Sequence, residues 1–232
     1  MDTEGKKTKT LHFVRHAQGE HNVAGAADPI NGYLREDLVD AVLTEHGINQ
    51  CKEVYDKYFG DADKNIIHDV QLIVVSPMRR TLQTATHCFA DHVEKTPVPF
   101  VAVEHLREQT GLHPCDLRHP ISQHASNFPH VCFQQVEHEE DPLYHRYSGK
   151  REPDEEVNNR VREFFQWLME REEDNIAVVT HSAYLRNMFK HVVQIEAHEI
   201  DADVDFDHEK YKNCEVRSYQ VVLPGLSCKF LS

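Results

Sequence analysis

Four short apolar runs constrain the fold of this 232-residue chain more than any other feature, because each leads into charged or histidine residues. The runs are LHFV at 11–14, VQLIVV at 70–75, PFVAV at 99–103 and NIAVV at 175–179. Continuous apolar runs with β-branched residues are typical of strands buried on both faces of a parallel sheet. Helical patterns separate these runs. The sequence therefore predicts an α/β fold, a three-layer sandwich in which helices flank a mostly parallel open sheet.

The helical patterns have recognisable starts and apolar faces. Thr44 is a good N-cap for LTEHGINQCKEVYDKYF, and TLQTATHCFADHV follows Arg80 directly. A third helix is predicted over EEVNNRVREFFQWLMEREED, and a fourth over YLRNMFKHV. In the third, apolar residues recur at helical spacing, namely Val157, Val161, Phe164, Phe165 and Leu168.

The residues that follow the four runs indicate where a ligand binds. The runs lead into Arg15-His16, into Ser76-Pro77-Met78-Arg79-Arg80, into Glu104 and then Glu108, and into Thr180-His181-Ser182. Ligands of open α/β sheets bind at the carboxyl ends of the strands. Any one of these motifs alone is more often a solvated strand end or a capped turn, but all four fall at the same kind of place. They predict one crevice that holds two histidines, arginines and a carboxylate.

Arginine beside histidine predicts phosphate chemistry. Arg15 and Arg80 can each bind phosphate oxygens in a bidentate manner and neutralise the charge that repels a nucleophile. Because neighbouring arginines disfavour a protonated imidazole, His16 is expected to be neutral and able to attack phosphorus. No metal ion or hydroxyl nucleophile is required.

The other strand ends supply the remaining roles. His181 is predicted to bind the equatorial phosphate oxygens, helped by the backbone N–H of Ser182 at the start of the following helix. Glu108 is predicted to protonate the leaving oxygen. The predicted partner is thus a small phosphorylated substrate, with no cofactor.

Composition excludes several other classes of function. The net charge is −14, and the basic residues form no long stretch, which disfavours nucleic acid and anionic membranes as partners. The first ten residues are too polar for a signal peptide, and no apolar run approaches the roughly 18 residues of a membrane span. We therefore expect a cytoplasmic protein with a flexible tail over 1–10 and one domain over 11–232. The sequence leaves its oligomeric state open.

The six cysteines predict neither a disulfide framework nor a metal site. They are widely separated and include no C-x-x-C pair, and the 18 histidines lack zinc-site spacing. The sequence thus predicts reduced thiols and no bound metal.

RHAQGEHN, VVSPMRRTLQTA, LRE and VVTHSAYL together resemble the histidine phosphatase superfamily, which has the phosphoglycerate-mutase-like fold. The resemblance implies a phosphohistidine intermediate, and it places Asn22 with Arg15, His16 and Arg80 among the phosphate-binding residues. GLHPCDLRHPISQHASNFP and NCEVRS resemble most closely the eukaryotic phosphoglycerate-mutase-like branch. Ala17 and Ser182 stand where the family often has glycine, and Ala17 puts in doubt a close backbone approach there.

Three functions remain open after this comparison. The mutases of the family have arginine, tyrosine and further basic residues after the acidic glutamate, whereas this chain has Gln109-Thr110-Gly111. That difference favours a phosphatase over a phosphomutase. Alternative residues for binding a second anionic group are Arg118, His119 and Arg151. A scaffold or binding protein that has lost catalysis is the third reading.

Two further segments carry weaker signals. The region from about 105 to 157 has little periodicity, so it is interpreted as a lid over the crevice that sets specificity. The tail DADVDFDHEKYKNCEVRSYQVVLPGL is acidic and then strand-like, which predicts a solvated loop followed by an edge strand; the alternative is a segment that closes a sheet edge or holds a partner.

Overall fold

A computed structural model describes residues 7–60, 67, 69–94, 98–195 and 210–231 of the chain. The strands of this part form one eight-stranded sheet in the order β4-β3-β2-β5-β1-β7-β8-β6. They are β1 Lys7–Arg15, β2 Leu72–Val75, β3 Phe100–Ala102, β4 Val131–Cys132, β5 Asn175–Thr180, β6 Gln194–Ile195, β7 Val216–Leu223 and β8 Ser227–Phe230. The five strands from β4 to β1 run parallel, while β7 pairs antiparallel with both β1 and β8.

Helices cover both faces of the sheet. They are α1 Glu20–Ala27, α2 Glu45–Val54, α3 Arg79–Cys88, α4 Ala90–Glu94, α5 Ile121–Asn127, α6 Pro142–Tyr147, α7 Asp154–Met169 and α8 Ser182–Asn187. Thr44 is the N-cap of α2, as predicted, since its hydroxyl accepts the N–H of Gly47 at 3.0 Å. Helices α2 and α8 each continue into a π-helical turn, Tyr55–Phe59 and Met188–Val192. Among the described residues, none of the helices is both long enough and apolar enough to span a bilayer.

Two apolar cores on opposite faces of the sheet confirm the three-layer architecture. Side chains alternate along each strand, so Phe13 packs with α7 and α8 on one face whereas Val14 packs with α2 and α3 on the other. The apolar face predicted for α7 lies entirely in the first core, with Val157, Val161, Phe164, Phe165 and Leu168 all buried. This burial on both faces explains why the parallel strands appear as unbroken apolar runs.

Residues 7–10 and strand β7 differ from the predictions made for the two ends of the chain. Strand β1 begins at Lys7, so residues 7–10 belong to the sheet and not to a tail. Thr10 pairs with both Asn175 and Gln220, and the buried ammonium of Lys9 donates to the carbonyls of Arg171 and Glu173. Strand β7 lies inside the sheet, between β1 and β8, and is not an edge strand. The acidic stretch 196–209 and residues 1–6 lie outside the described residues.

The region 105–157, interpreted from the sequence as a lid over the crevice, is organised around a buried ion pair. The guanidinium of Arg107 donates to Asp141 at 2.7 Å and to the carbonyl of Asp116 at 2.6 Å. Both Arg107 and Asp141 are buried, so the pair ties the start of the region to α6. The region also contains α5, which its weak periodicity did not predict.

Candidate active site

The strand register brings the four predicted segments to one edge of the sheet. Arg15 pairs with Thr180 at the ends of β1 and β5, and Val75 of β2 pairs with Val179. A cavity of about 190 Å³ opens at this edge. Its lining residues are Arg15, His16, His21, Asn22, Tyr33, Arg80, Glu108, His113, Cys115, Asp116, Arg151, Ser182 and Ala183. Six of the seven predicted site residues thus share one cavity, and the seventh, His181, lies against His16.

His16 is a neutral imidazole that is held through its Nδ1. Its Nδ1 is 2.8 Å from the carbonyl oxygen of Ala17, and a carbonyl only accepts, so Nδ1 carries the proton. Burial lowers the pKa of His16 well below 6.5, and the charges of Arg80, His21 and Arg15 act in the same direction. Nε2 therefore has an available lone pair, as a nucleophile requires.

His181 is completely buried next to His16. The two ring centroids are 5.2 Å apart, and His181 Nε2 is 2.8 Å from the Ser76 hydroxyl oxygen. Its Nδ1 has no hydrogen-bond partner among the described residues. Burial lowers the pKa of His181 well below 6.5, and the nearby Arg80 adds to this effect. The second histidine is thus also neutral, with one ring nitrogen unused.

The two arginines are anchored at the cavity wall. Arg15 donates from Nη1 to the carbonyl of Tyr211 at 2.7 Å. Arg80 donates from Nη1 to the carbonyl of Cys115 at 2.7 Å and from Nη2 to Asp116 at 2.9 Å. In both arginines the buried Nε has no partner within the described part of the chain. Each guanidinium is therefore fixed by protein contacts and retains donor capacity for an anion.

Asn22 is positioned by a residue that sequence reasoning did not select. The Asn22 Oδ1 accepts from the backbone N–H of Gly19 at 3.0 Å and from Asn213 Nδ2 at 3.2 Å. Asn213 Nδ2 also donates to the carbonyl of His16 at 3.1 Å. Asn213 therefore holds Asn22 and the backbone of His16 together. The NCEVRS motif was its only signal in the sequence.

Glu108 lies at the cavity and caps helix α8. Its carboxylate accepts the backbone N–H groups of Gln109 at 2.9 Å, Ala183 at 3.1 Å and Tyr184 at 3.0 Å. The latter two are in the first turn of α8, where a carboxylate satisfies otherwise unpaired donors. Glu108 consequently fixes the helix that begins just after His181.

Comparison with known proteins identifies the family. Residues 11–221 match the histidine phosphatase superfamily, branch 1. The chain belongs to this superfamily. The resemblance stated from its motifs is therefore confirmed.

Relatives and structural neighbours carry both phosphatase and mutase names. A phosphoglycerate mutase-like protein of Arabidopsis thaliana is 33% identical over 97% of this chain and 91% of its own length. The ecdysone phosphate phosphatase of Bombix mori has a TM-score of 0.59 at 17% identity, with 93% of this chain and 92% of that chain covered. A phosphoglycerate mutase of Bacillus anthracis has a TM-score of 0.55 at 13% identity, with 98% and 93% covered. At such identities the two structures show a shared fold and do not choose between the activities.

Among the cavity residues that were missed in the sequence are His21, Tyr33, His113 and Asp116. The His21 ring is 5.4 Å from that of His16, and burial lowers the pKa of His21 well below 6.5. Tyr33 and His113 stack with centroids 5.3 Å apart. His21 lies within the RHAQGEHN motif and could have been found there, whereas the others lie in stretches without periodicity.

Of the three residues proposed as alternative anion-binding groups, Arg118, His119 and Arg151, only Arg151 lines the cavity. Arg118 is buried and donates to backbone carbonyls, including those of His138 and Glu140. The backbone N–H of His119 donates to the buried carboxylate of Asp40 at 3.0 Å. Arg151 lines the cavity, with Nη1 3.1 Å from His113 Nδ1.

Proposed function

We propose that this protein is a cytoplasmic, metal-independent phosphatase that hydrolyses a phosphomonoester of a small molecule through a phosphohistidine at His16. The observation that carries the proposal is the state of His16, which is buried and neutral with its Nδ1 proton fixed on the carbonyl of Ala17. His16 lines a cavity that also holds Arg15 and Arg80. These are the parts needed for nucleophilic attack on a phosphate dianion.

The reaction proceeds in two displacements. His16 Nε2 attacks phosphorus and forms the N–P bond while the bond to the leaving oxygen breaks and Glu108 gives that oxygen a proton. Water then attacks the phosphohistidine, its proton passes to Glu108, and inorganic phosphate leaves as His16 is regenerated. Arg15, Arg80, Asn22, His181 and the Ser182 amide hold the phosphoryl oxygens throughout.

Water is the favoured acceptor because the residues after Glu108 turn away from the cavity. Gln109 is buried and donates from Nε2 to the carbonyl of Glu152 at 2.8 Å. Thr110 is completely buried. Neither side chain lines the cavity. The positions where mutases hold a second anionic group therefore serve as internal contacts here.

Hydrolysis and phosphoryl transfer are separated by a coupled assay with 3-phosphoglycerate. Each charged contact that is missing for the second anionic group lowers the rate of interconversion by about tenfold or more. Phosphate release should therefore be faster than interconversion by at least that factor. Interconversion faster than phosphate release would make the protein a phosphomutase, the second candidate, which the names of the Arabidopsis relatives favour. If the protein turned over neither this substrate nor p-nitrophenyl phosphate, the third reading, a binding protein that has lost catalysis, would be favoured.

Turnover should survive exhaustive chelation. Arg15 and Arg80 provide the positive charge that Mg²⁺ or Zn²⁺ gives other phosphoryl-transfer sites. The test is kcat with p-nitrophenyl phosphate before and after dialysis against EDTA, with expected values that agree within error. Loss of activity that Mg²⁺ or Zn²⁺ restores would contradict the proposed chemistry.

A further inference from the structure

Three cysteines that are far apart in the sequence meet in the fold. Cys51 lies on α2, Cys88 ends α3, and Cys214 lies in the loop before β7. All three are buried, and their sulfurs lie within 4.8 Å of one another. The Cys214 sulfur is 3.8 Å from that of Cys88 and 3.9 Å from that of Cys51. We refer to these three residues as the thiol cluster.

The thiol cluster differs from ordinary buried cysteines. A free cysteine usually fills space as a small apolar side chain. Cys115 is an example of a buried cysteine that stands alone. Its sulfur is 3.9 Å from the Asp116 carboxylate, and no hydrogen bond to another thiol is found for it among the described residues. In the thiol cluster, by contrast, three sulfurs from separate elements converge on one point, which is the arrangement of a chelating site.

The spacing of the sulfurs fits a metal ion with few ligands. An ion at about 2.3 Å from three coplanar sulfurs sets them about 4.0 Å apart. The two separations that involve Cys214, 3.8 and 3.9 Å, are close to this value, and the sulfurs of Cys51 and Cys88 lie within 4.8 Å of each other. Soft thiolates select Cu(I), zinc and iron–sulfur centres, but structural zinc is almost always held by four ligands. Among the described residues the group contains three ligands, all of them sulfur.

We propose that Cys51, Cys88 and Cys214 form a binding site for one Cu(I) ion in three-coordinate thiolate geometry. Thiolates are soft ligands that select Cu(I), and three sulfurs from separate elements supply the ligands of a trigonal site. Coordination requires thiolates, so binding of the ion releases the thiol protons to solvent.

The site is adjacent to the nucleophile's backbone but outside the reacting cavity. The N–H of Cys214 is 3.1 Å from the carbonyl oxygen of Arg15 and 3.2 Å from that of His16. None of the three cysteines lines the cavity. Bound Cu(I) would therefore fix the segment that holds the strand end in place, without taking part in phosphoryl transfer. Bound Cu(I) is therefore expected to raise the stability of the protein. Turnover without added metal agrees with a site that has no part in the reaction.

The test uses the whole reduced protein under anaerobic conditions, titrated with Cu(I) held by a competing chromogenic chelator. We expect one equivalent to bind, with thiolate-to-copper charge-transfer absorption and three Cu–S distances of about 2.3 Å in X-ray absorption. At a free Cu(I) concentration of 100 times Kd the melting temperature should rise by roughly 5–10 °C. No stoichiometric binding to the wild-type protein would overturn the proposal, and this measurement requires no variant.

Cysteine variants locate the site. Cys51→Ser and Cys88→Ser should each weaken Cu(I) binding by at least about 100-fold, because each removes a direct ligand and loss of an outer-shell partner alone costs up to about that much. The matched control is Cys132→Ser, because Cys132 is an exposed cysteine outside the thiol cluster and its removal should change nothing. Unchanged affinity in the first two variants, or tighter binding of Zn(II) than of Cu(I) by the wild-type protein, would overturn the assignment.

Discussion

Replacing His16 with alanine is expected to reduce kcat by about 10⁴- to 10⁶-fold, the size of effect that follows removal of a nucleophile. His16 is the one histidine of the described cavity that directly follows a cavity arginine in the chain, and its Nδ1 proton is fixed on Ala17. Quenching a turnover mixture should reveal a phosphate on the protein that is labile in acid and stable in base. The label should be absent from His16→Ala.

The matched control for this variant is His12→Ala. His12 is also a buried histidine of β1, but its ring nitrogens are 2.8 Å from the Ser218 hydroxyl and 2.7 Å from the Asn175 amide oxygen, away from the cavity. It should lose stability and keep the phosphohistidine. Persistence of the label in His16→Ala would move the nucleophile elsewhere, and His181, whose ring is 5.2 Å away, would be the next to test.

The location of the site could be predicted because it depends on a local property. The apolar runs are parallel strands that end at the same edge of the sheet. The residues at their carboxyl ends, such as Arg15 and Thr180, therefore lie beside one another. The chemistry of those residue types then pointed to phosphate. Neither step required knowledge of which strands are neighbours.

Long-range contacts set the limit of the prediction. The ion pair of Arg107 with Asp141 organises the region 105–157. The two residues are 34 positions apart, and no periodic pattern in the sequence indicates that they pair. Strand β7 was taken for an edge strand because its pairing with β1 joins residues about 200 positions apart. The thiol cluster was missed for the same reason, since spacing along the chain says nothing about three sulfurs that meet in the fold.

The neutral state of the histidines could be predicted only in part. Charge repulsion from Arg15 and Arg80 was the expected reason for a neutral His16, whereas burial is the larger cause in the structure. A sequence does not reveal how deeply a strand-end side chain is covered. The same burial keeps His181 and His21 neutral, so all three rings can coexist beside two guanidinium groups.

Glu108→Gln should slow the hydrolysis of alkyl phosphates by roughly 10²- to 10⁴-fold, the usual value of general acid catalysis, and slow p-nitrophenyl phosphate far less. An alkyl phosphate leaves as a strongly basic alkoxide that needs a proton. p-Nitrophenolate leaves without one. The ratio of the two effects is the measurement, because it isolates proton donation from any general damage to the site.

The capping contacts of Glu108 make this variant sensitive to a second effect. The carboxylate accepts N–H groups of Ala183 and Tyr184, and a glutamine has one acceptor oxygen where glutamate has two. Loss of one such hydrogen bond costs about 1 kcal/mol and lowers the melting temperature by roughly 2–4 °C. A purely structural role would therefore lower stability and slow both substrates equally.

Asp116→Asn is the comparison that decides which carboxyl group is the acid. Asp116 lines the same cavity, and burial raises its pKa, which favours the protonated form that an acid requires. Glu104 is a weaker candidate, since it pairs with Arg107 at 2.6 Å and lies outside the cavity lining. If Asp116→Asn slowed alkyl phosphates selectively while Glu108→Gln slowed both substrates equally, the proton donor would be Asp116 and Glu108 would serve only to fix α8. Selective loss in Glu108→Gln alone identifies Glu108 as the acid, held at the cavity by the N–H groups of Ala183 and Tyr184 in the first turn of α8.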